Sequence, residues 1–180
     1  PFTLTLETTE NSYSNDNATK DIAVTIGKKV FEHTKPISLM QLLVSLCTQE
    51  DDIVLDFFSG SASTAEAVMR QNCVDQKSRQ FIMVQLPELC AESTTAYKAG
   101  YRTICDIGRT RIALSSAQIR EEYPGVTADL GFRHFTLTEP SGTTLDKLEQ
   151  FSPDDNGMFV SNTVLEDFGL STVLATWLVR

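Results

Sequence analysis

The stretch of this sequence best suited to chemistry is Leu55–Ala67, which reads LDFFSGSASTAEA. An apolar run ends at an acid, Asp56, and small residues then lead into the first turn of an expected helix. A small-residue turn between a strand and a helix lets a ligand come close to the backbone, and the free N–H groups of the helix favour an anionic group. The stretch therefore predicts a ligand-binding loop.

Three ligands suit such a loop: a nucleoside triphosphate, a dinucleotide, and S-adenosylmethionine held through its carboxylate. The triphosphate is disfavoured because no Gly-Lys-Ser/Thr follows the turn. A dinucleotide loop carries GxGxxG and an acid about 20 residues further on. Here only Gly60 is present, and the second expected strand ends at Gln85, 29 positions after Asp56. An ordinary strand-to-helix turn with no ligand is the structural alternative.

The elements around the loop predict an α/β layer. DDIVLDFF is a continuous apolar run between acids, typical of a strand covered on both faces. RQFIMVQLPE and GFRHFTL read as a second and a third strand. Ser63 and Glu66 have the spacing of a capping box, which predicts a helix from Ser63 to about Asn72. Strands alternating with helices indicate parallel strands.

Helices are also predicted on both sides of these strands. KPISLMQLLVSLCT starts at Pro36, a residue suited to a helix start. Its leucines fall three and four positions apart, which puts them on one face: Leu39, Leu42, Leu43 and Leu46. The segment from 94 to 123 reads as one or two helices, with Gly100 and Gly108 as weak points. Residues 1 to about 20 are polar and read as loop.

Composition narrows the class of protein. A net charge of -9 argues against a nucleic-acid footprint over the whole surface, although five cations of one predicted helical region could form a local basic face: Lys98, Arg102, Arg109, Arg111 and Arg120. No apolar run is long enough for a membrane span, and no signal-peptide pattern opens the chain. The four scattered cysteines show no zinc spacing and read as reduced and buried, which predicts a cytoplasmic protein without a metal site.

Taken in order, five segments closely resemble the C-terminal part of the modification (Mod) subunits of type III restriction-modification systems, from about Lys20 to Thr138: FEHTKPISLMQLL, DDIVLDFFSGSASTAEAV, RQFIMVQLPE, AYKAGYRTICDIGRTRI and DLGFRHFTL. Those subunits are beta-class, S-adenosylmethionine-dependent DNA methyltransferases that act on the exocyclic amine of adenine. The resemblance implies a partial, incomplete Rossmann-like methyltransferase sheet with flanking helices, plus a small C-terminal extension. It also implies double-stranded DNA, a second copy of the subunit and a helicase-nuclease restriction subunit as partners of the full-length protein.

The resemblance assigns cofactor-binding roles by position. Asp56, Phe57 and Phe58 line the mouth of the cofactor pocket, and Lys35 with Pro36 closes its other side. Gly60, Ser61 and Ala62 pass close to the methionine part of the cofactor, near the helix start with Ser63 and Thr64. Gln85 stands at the end of the second strand, where many methyltransferases carry an acid that holds the ribose hydroxyls.

Three positions depart from the family pattern. Ala62 replaces the second glycine of the loop, Gln85 carries no charge, and Glu66 stands where a histidine is common. If position 62 needs a positive backbone angle, alanine costs about 1 kcal/mol or more. Two alternatives stay open: a loop that binds the cofactor weakly, and a degenerate loop that does not bind it.

The catalytic half of the family is missing from the sequence. No two of the six prolines are adjacent, so the family's Asp-Pro-Pro-Tyr motif is absent and no catalytic residue is assigned. Together with the start at Pro1, this predicts a piece of a longer protein; a processed but complete chain is the alternative. We expect a polar lead-in (1–28), a cofactor-binding half-domain (29–138) and an acidic extension (139–180). The competing hypothesis is a non-catalytic assembly module for dimerisation or contact with a restriction subunit; a nucleotide oxidoreductase is a remote third.

Overall fold

The computed structural model describes residues 13–137 and Gly169. The acidic extension predicted for 139–180 lies outside the described residues, apart from Gly169. Residues 134–180 group into a compact unit separate from residues 1–133. The domain boundaries predicted from the sequence stay predictions. Seven elements follow one another along the chain: α1 (Asn15–Ile26), α2 (Ile37–Cys47), β1 (Ile53–Asp56), α3 (Ser63–Asp75), β2 (Gln80–Met83), α4 (Thr95–Lys98) and α5 (Ile104–Glu122).

The two strands form a parallel pair, with α3 as the connection between them. The register runs from Ile53 opposite Gln80 to Asp56 opposite Met83. This confirms the parallel α/β arrangement predicted from the alternation of strands and helices. Because parallel strands end at the same edge of a sheet, the loop after β1 and the residues after β2 lie next to each other.

One prediction about the strands is wrong: they are not covered on both faces. Within the described part of the chain, Ile53 and Leu55 are 59% and 58% exposed, and Ile82 of β2 is 49% exposed. The intervening residues Val54 and Phe81 are partly buried on the opposite face. Exposed and partly buried residues therefore alternate along each strand, and no described element packs on the exposed face.

The third predicted strand, GFRHFTL, is also wrong, because residues 131–137 form no strand. A first helix forms instead where polar loop was expected. The Ser14 side chain accepts a hydrogen bond from the Asn17 amide at 3.3 Å, and Gly27 ends the helix with φ +80°. Residues rich in Ser and Asn thus supply a helix cap rather than a loop. Ile22 of α1 is fully buried.

The helix predicted after Pro36 is confirmed, with Pro36 at its N-cap. Its buried residues are Ile37 and Val44, whereas Leu43 and Leu46 are 45% and 54% exposed. The predicted leucine face of α2 is therefore half-buried at Leu39 and Leu42 and exposed at Leu43 and Leu46.

Gly100, with φ +100°, separates α4 from α5, whereas α5 continues unbroken through Gly108. Thr103 and Asp106 form a capping box at the start of α5. One buried cluster joins α3 to α5 through Ala65, Met69, Ile112 and Ile119, and this is the packing that holds the loop before α3 against α5.

Candidate functional site

Asp56 ends β1 and ties the following loop to α3. One carboxylate oxygen accepts a hydrogen bond from the Phe58 amide at 3.2 Å, and the other accepts one from the Thr64 hydroxyl at 2.6 Å. The carboxylate therefore bridges the strand end and the first turn of α3. Its side chain is only partly buried, so it also faces the solvent beyond the carboxyl ends of β1 and β2, which we call the open edge of the sheet.

Gln85 fastens the loop to the end of the second strand. Its Oε1 accepts a hydrogen bond from the Gly60 amide at 2.7 Å, and its Nε2 donates to the Leu86 carbonyl at 3.2 Å. The Ser59 amide donates to the Val84 carbonyl at 3.1 Å. The residue expected to hold a ribose thus already has a structural partner in the loop.

The loop turns through two left-handed residues, Gly60 with φ +51° and Ala62 with φ +59°. Ala62 is the N-cap of α3 and makes no side-chain cap hydrogen bond. The capping box predicted for Ser63 and Glu66 is wrong, because the Glu66 carboxylate binds Arg70 and Arg111 instead. Position 62 thus has the positive φ at which alanine is strained.

The methyl group of Ala62 belongs to the protein interior. Ala62 is 2% exposed and lies in the cluster that includes Ala65 and Ile112. A methyl group on Gly108 of α5 would lie 3.5 Å from the Ala62 Cβ. The side chain of Ala62 thus points toward α5 and away from the open edge of the sheet.

The segment before α2 packs on the other side of the loop. The ring of Phe31 lies so close to Gly60 that a methyl group there would be 3.3 Å from its Cζ. Thr34 and Ser61 share a hydrogen bond between their hydroxyls at 2.9 Å. Pro36 is buried, whereas Lys35 is exposed. The contact with the loop is therefore made by Phe31 and Thr34, upstream of the motif itself.

A buried charge lies beneath the loop. Arg111 is 0% exposed and donates from Nε to the Glu66 carboxylate at 2.8 Å. Its Nη1 donates to the hydroxyls of Thr34 at 2.8 Å and Ser61 at 3.1 Å. Glu66, 3% exposed, also accepts from Arg70 Nε at 3.0 Å. One guanidinium thus joins α5, α3, the loop and the segment before α2.

Two further carboxylates border this ion pair. Burial, together with the nearby charge of Glu66, raises the pKa of Asp21, which accepts a hydrogen bond from the Ile37 amide at the start of α2. At the other end, Glu122 lies 2.5 Å from Arg70, and the hydrogen bond from Arg70 lowers the pKa of Glu122. The polar network therefore extends from α1 to the end of α5.

The residues predicted to bind the cofactor fall into two groups. The accessible group comprises Lys35, Asp56, Phe57, Phe58, Gly60 and Gln85, of which all but Lys35 lie at the open edge. The buried group supports it from within: Pro36, Ser61, Ala62, Ser63 and Thr64. Phe57 and Phe58 are 62% and 76% exposed, and their ring centroids are 5.2 Å apart. These rings present an aromatic surface beside Asp56.

The basic face predicted along the fourth and fifth helices is only partly present. Lys98, Arg102, Arg109 and Arg120 are exposed, but Arg111 is buried and does not belong to it. Arg102 lies 4.1 Å from the centroid of the Tyr97 ring, and Arg109 pairs with Asp106 at 3.0 Å.

The cysteines only partly follow the expectation of burial. Cys73 is buried, Cys90 and Cys105 are half-buried, and Cys47 is exposed, so the prediction is wrong for Cys47. Across residues 13–137, no group of three or more His, Cys, Asp or Glu is suited to hold a metal ion. No helix of the described part is long and apolar enough to cross a membrane.

The sequence did not single out Phe31, Thr34, Gly108 or Arg111 as parts of the site. Phe31 and Thr34 stand within the quoted FEHTKP segment, so their position beside the loop could have been inferred from the resemblance. Arg111 follows Ile107 by four residues and lies on the isoleucine face of α5, whereas Arg109 lies on the opposite face, so the helical spacing could have marked Arg111 as buried.

Comparisons with known proteins agree with this architecture. Residues 3–91 match the model of a family described as DNA methylase. The chain is 40% identical over 142 residues to the StyLTI Mod subunit of a type III restriction-modification enzyme from Salmonella typhimurium, covering 79% of the chain and 22% of that protein. It is 32% identical over 167 residues to the EcoPI Mod subunit of Escherichia phage P1, covering 93% of the chain and 25% of that protein.

A type II methyltransferase, M.KpnI of Klebsiella pneumoniae, is 32% identical over 103 residues, which cover 57% of the chain and 25% of that enzyme. The chain thus spans about a quarter of the length of the curated relatives it matches. The residues matched by the family model include α1, α2, both strands, the loop after β1 and α3. Residues 3–91 thus match the DNA methylase family model, and the chain is similar to a segment of the Mod subunits of type III restriction-modification enzymes.

Proposed function

We propose that this chain is the cofactor-binding part of a Mod-type DNA methyltransferase that methylates the exocyclic N6 amine of adenine. The observation that carries the proposal is the position of Asp56 and Gln85 at the carboxyl ends of two neighbouring parallel strands. Gly60 of the loop after β1 is bonded to Gln85 at this point. Ligands of open α/β sheets bind at such strand ends. The match to DNA methylases and the similarity to Mod subunits support the same function.

The residues at the open edge fit S-adenosylmethionine by their chemistry. Phe57 and Phe58 offer apolar ring surface for a nucleobase, and the partly exposed Asp56 carboxylate can accept from ligand hydroxyl or ammonium groups. When bound, the cofactor supplies an activated methyl group; the residues of this chain bind and orient it.

We further propose that this chain alone does not methylate DNA. The sequence has no pair of adjacent prolines, and therefore lacks the Asp-Pro-Pro-Tyr motif that the resembled family uses to hold the adenine amine. Positioning of the amine and extrusion of the base from the duplex are both needed for transfer. These tasks would fall to other parts of a longer protein, which would complete the Rossmann-like sheet.

Calorimetry with S-adenosylmethionine tests the proposal directly. We expect heat of binding for the unmodified chain and weaker binding for Asp56→Ala, because that substitution removes the carboxylate and its bond to Thr64. Asp52→Ala is the matched control, since Asp52 is an exposed acid at the opposite end of the strand, bonded to the Gln49 amide. Absence of heat at millimolar cofactor would contradict the proposal.

An assembly module is the second candidate, favoured by the apolar outer face of the sheet. Ile53, Leu55 and Ile82 form an exposed strip, and solvent-exposed apolar patches of this kind mark interaction sites. A dimer of the Mod kind, or contact with a restriction subunit, would use such a surface. Light scattering that shows a dimer together with calorimetry that shows no cofactor affinity would favour this candidate over the first.

A further inference from the structure

The guanidinium of Arg111 is the polar group that joins the loop to helix α5. It donates hydrogen bonds to Glu66, Thr34 and Ser61 at 2.8, 2.8 and 3.1 Å. Arg111 does not reach the open edge, because it is fully buried beneath the loop. Any part that it plays in cofactor binding must therefore act through the loop.

Stability alone is a weak reason for this arrangement. A buried ion pair often contributes little net stability, because two charges must leave water. The Nη2 atom of Arg111 and the Ser115 hydroxyl, one helical turn further on, are buried and have no hydrogen-bond partner in the described part of the chain. An unpaired buried donor carries a cost. What the arrangement provides is a fixed geometry around Ser61.

Ser61 is the residue whose position matters most in this loop. It stands between the two left-handed residues, Gly60 and Ala62, and its hydroxyl is shared between Thr34 and Arg111. Holding Ser61 in place therefore holds both turns on either side of it. The Gly60 amide is then kept at 2.7 Å from the Gln85 side chain, at the edge of the candidate site.

We propose that Arg111 is a positioning residue that sets the shape of the cofactor loop through Ser61, without touching the cofactor. The inference rests on the proposed function, because it concerns the same loop. In water the Ser59–Ala62 turn would sample other conformations, and a loop already held in its binding shape loses less entropy when a ligand binds. Arg111 thus raises the affinity for the cofactor without contacting it.

The test compares cofactor affinity with folding in matched variants. Arg111→Lys keeps a positive charge beside Glu66 but cannot bond the carboxylate and both hydroxyls with one planar group. We expect a folded chain with affinity for S-adenosylmethionine reduced about fivefold or more. Arg109→Lys is the control on the same helix, because Arg109 is exposed and bonds only Asp106 among the described residues. Unchanged affinity in a folded Arg111→Lys chain would overturn the inference.

A second variant keeps the test meaningful if loss of the arginine impairs folding. Ser61→Ala leaves the Arg111–Glu66 pair intact and removes only the hydroxyl that links it to the loop. The amide resonance of Gly60 in a nitrogen-proton NMR spectrum reports loop shape without cofactor. We expect it to shift or broaden in Ser61→Ala and Arg111→Lys, and to stay unchanged in Arg109→Lys.

The two readouts separate the inference from the proposed function. If the unmodified chain binds no cofactor, the proposed function fails, while the Gly60 resonance still reports whether Arg111 holds the loop. If the chain binds cofactor but neither the resonance nor the affinity responds to Arg111→Lys, the proposed function stands and the positioning role is refuted.

Discussion

Gly108 of α5 lies directly against the turn formed by Gly60 and Ala62. A methyl group on Gly108 would lie 3.2 Å from the Gly60 carbonyl oxygen and 3.5 Å from the Ala62 Cβ. Helix and loop therefore pack backbone against backbone at this point. The missing side chain in α5 leaves room for the carbonyl oxygen of Gly60.

Gly108→Ala should therefore destabilise the protein, although alanine is the better helix former. Intrinsic helix propensity favours alanine over glycine by about 1 kcal/mol, but forcing a methyl group against a packed backbone costs about 1–3 kcal/mol. We expect a net fall in the free energy of unfolding, measured by urea denaturation. Ala113→Gly, at an exposed site of the same helix, measures the propensity term alone.

The double substitution Gly108→Ala with Ala62→Gly sharpens this prediction. The closest contact is with the carbonyl oxygen of Gly60, which the second substitution leaves in place. We therefore expect no rescue of stability. Recovery of the full stability would show that the contact between the two side chains, and not the backbone oxygen, limits the space at Gly108.

Ala62→Gly alone should have two small, opposing effects on the free energy of unfolding and little effect on cofactor affinity. Glycine relieves the left-handed backbone by about 1 kcal/mol, but the lost methyl group gives up burial worth about 0.8 kcal/mol. Because the methyl group points toward Gly108, cofactor affinity measured by calorimetry should change by less than about twofold. A large gain in affinity would mean that the methyl group obstructs the ligand after all.

The sequence predicted the parts of the site that local patterns specify. The run IVLD ending at an acid, the small-residue turn and the parallel order of the strands each follow from short stretches of chain. Pro36 at a helix start and the positive backbone angle at position 62 were also within reach. These features depend on a few neighbouring residues, so one sequence is enough to find them.

The features that the sequence did not predict depend on contacts between residues that are far apart in the sequence. Arg111 bonds residues 45 to 77 positions away, and the pattern of its own helix does not indicate which residues these are. Glu66 does not cap α3 because its carboxylate is the counter-charge of the buried Arg111 guanidinium. The exposed strand face was missed because an apolar run looks the same whether one face or two are covered.

The stability of the described fold should fall steeply in acid because of Asp75. Its two oxygens accept hydrogen bonds from Arg79 at 2.9 and 2.8 Å, and this pairing lowers the pKa of Asp75 from 3.8 to about 2. A carboxyl whose pKa is lower in the folded chain stabilises it above the unfolded pKa and loses that contribution as pH falls toward the folded pKa. Urea midpoints should therefore drop between pH 4 and 2.

Asp75→Asn tests the assignment of this acid sensitivity. The variant should be less stable than the unmodified chain at pH 5, and the difference should shrink toward pH 2, where Asp75 becomes protonated. Asp129→Asn is the control, because Asp129 is exposed and bonds only the nearby Gly131 amide among the described residues. An equal loss of stability at both pH values would assign the effect to packing instead of charge.

Gln85→Glu should tighten cofactor binding if the proposed function is right. One oxygen of a glutamate can accept the Gly60 amide, as Oε1 of Gln85 does at 2.7 Å, and the second oxygen then replaces the amide nitrogen that donates to Leu86 at 3.2 Å. Because two acceptors repel each other, this oxygen turns from the Leu86 carbonyl toward a ligand hydroxyl, and charge-assisted hydrogen bonds are about twice as strong as neutral ones. We expect affinity for S-adenosylmethionine to rise severalfold by calorimetry.

Gln85→Leu, which removes both the loop bond and the ligand bond, should lower the affinity for S-adenosylmethionine. If Glu and Leu at this position weaken binding equally, Gln85 serves only to hold the loop.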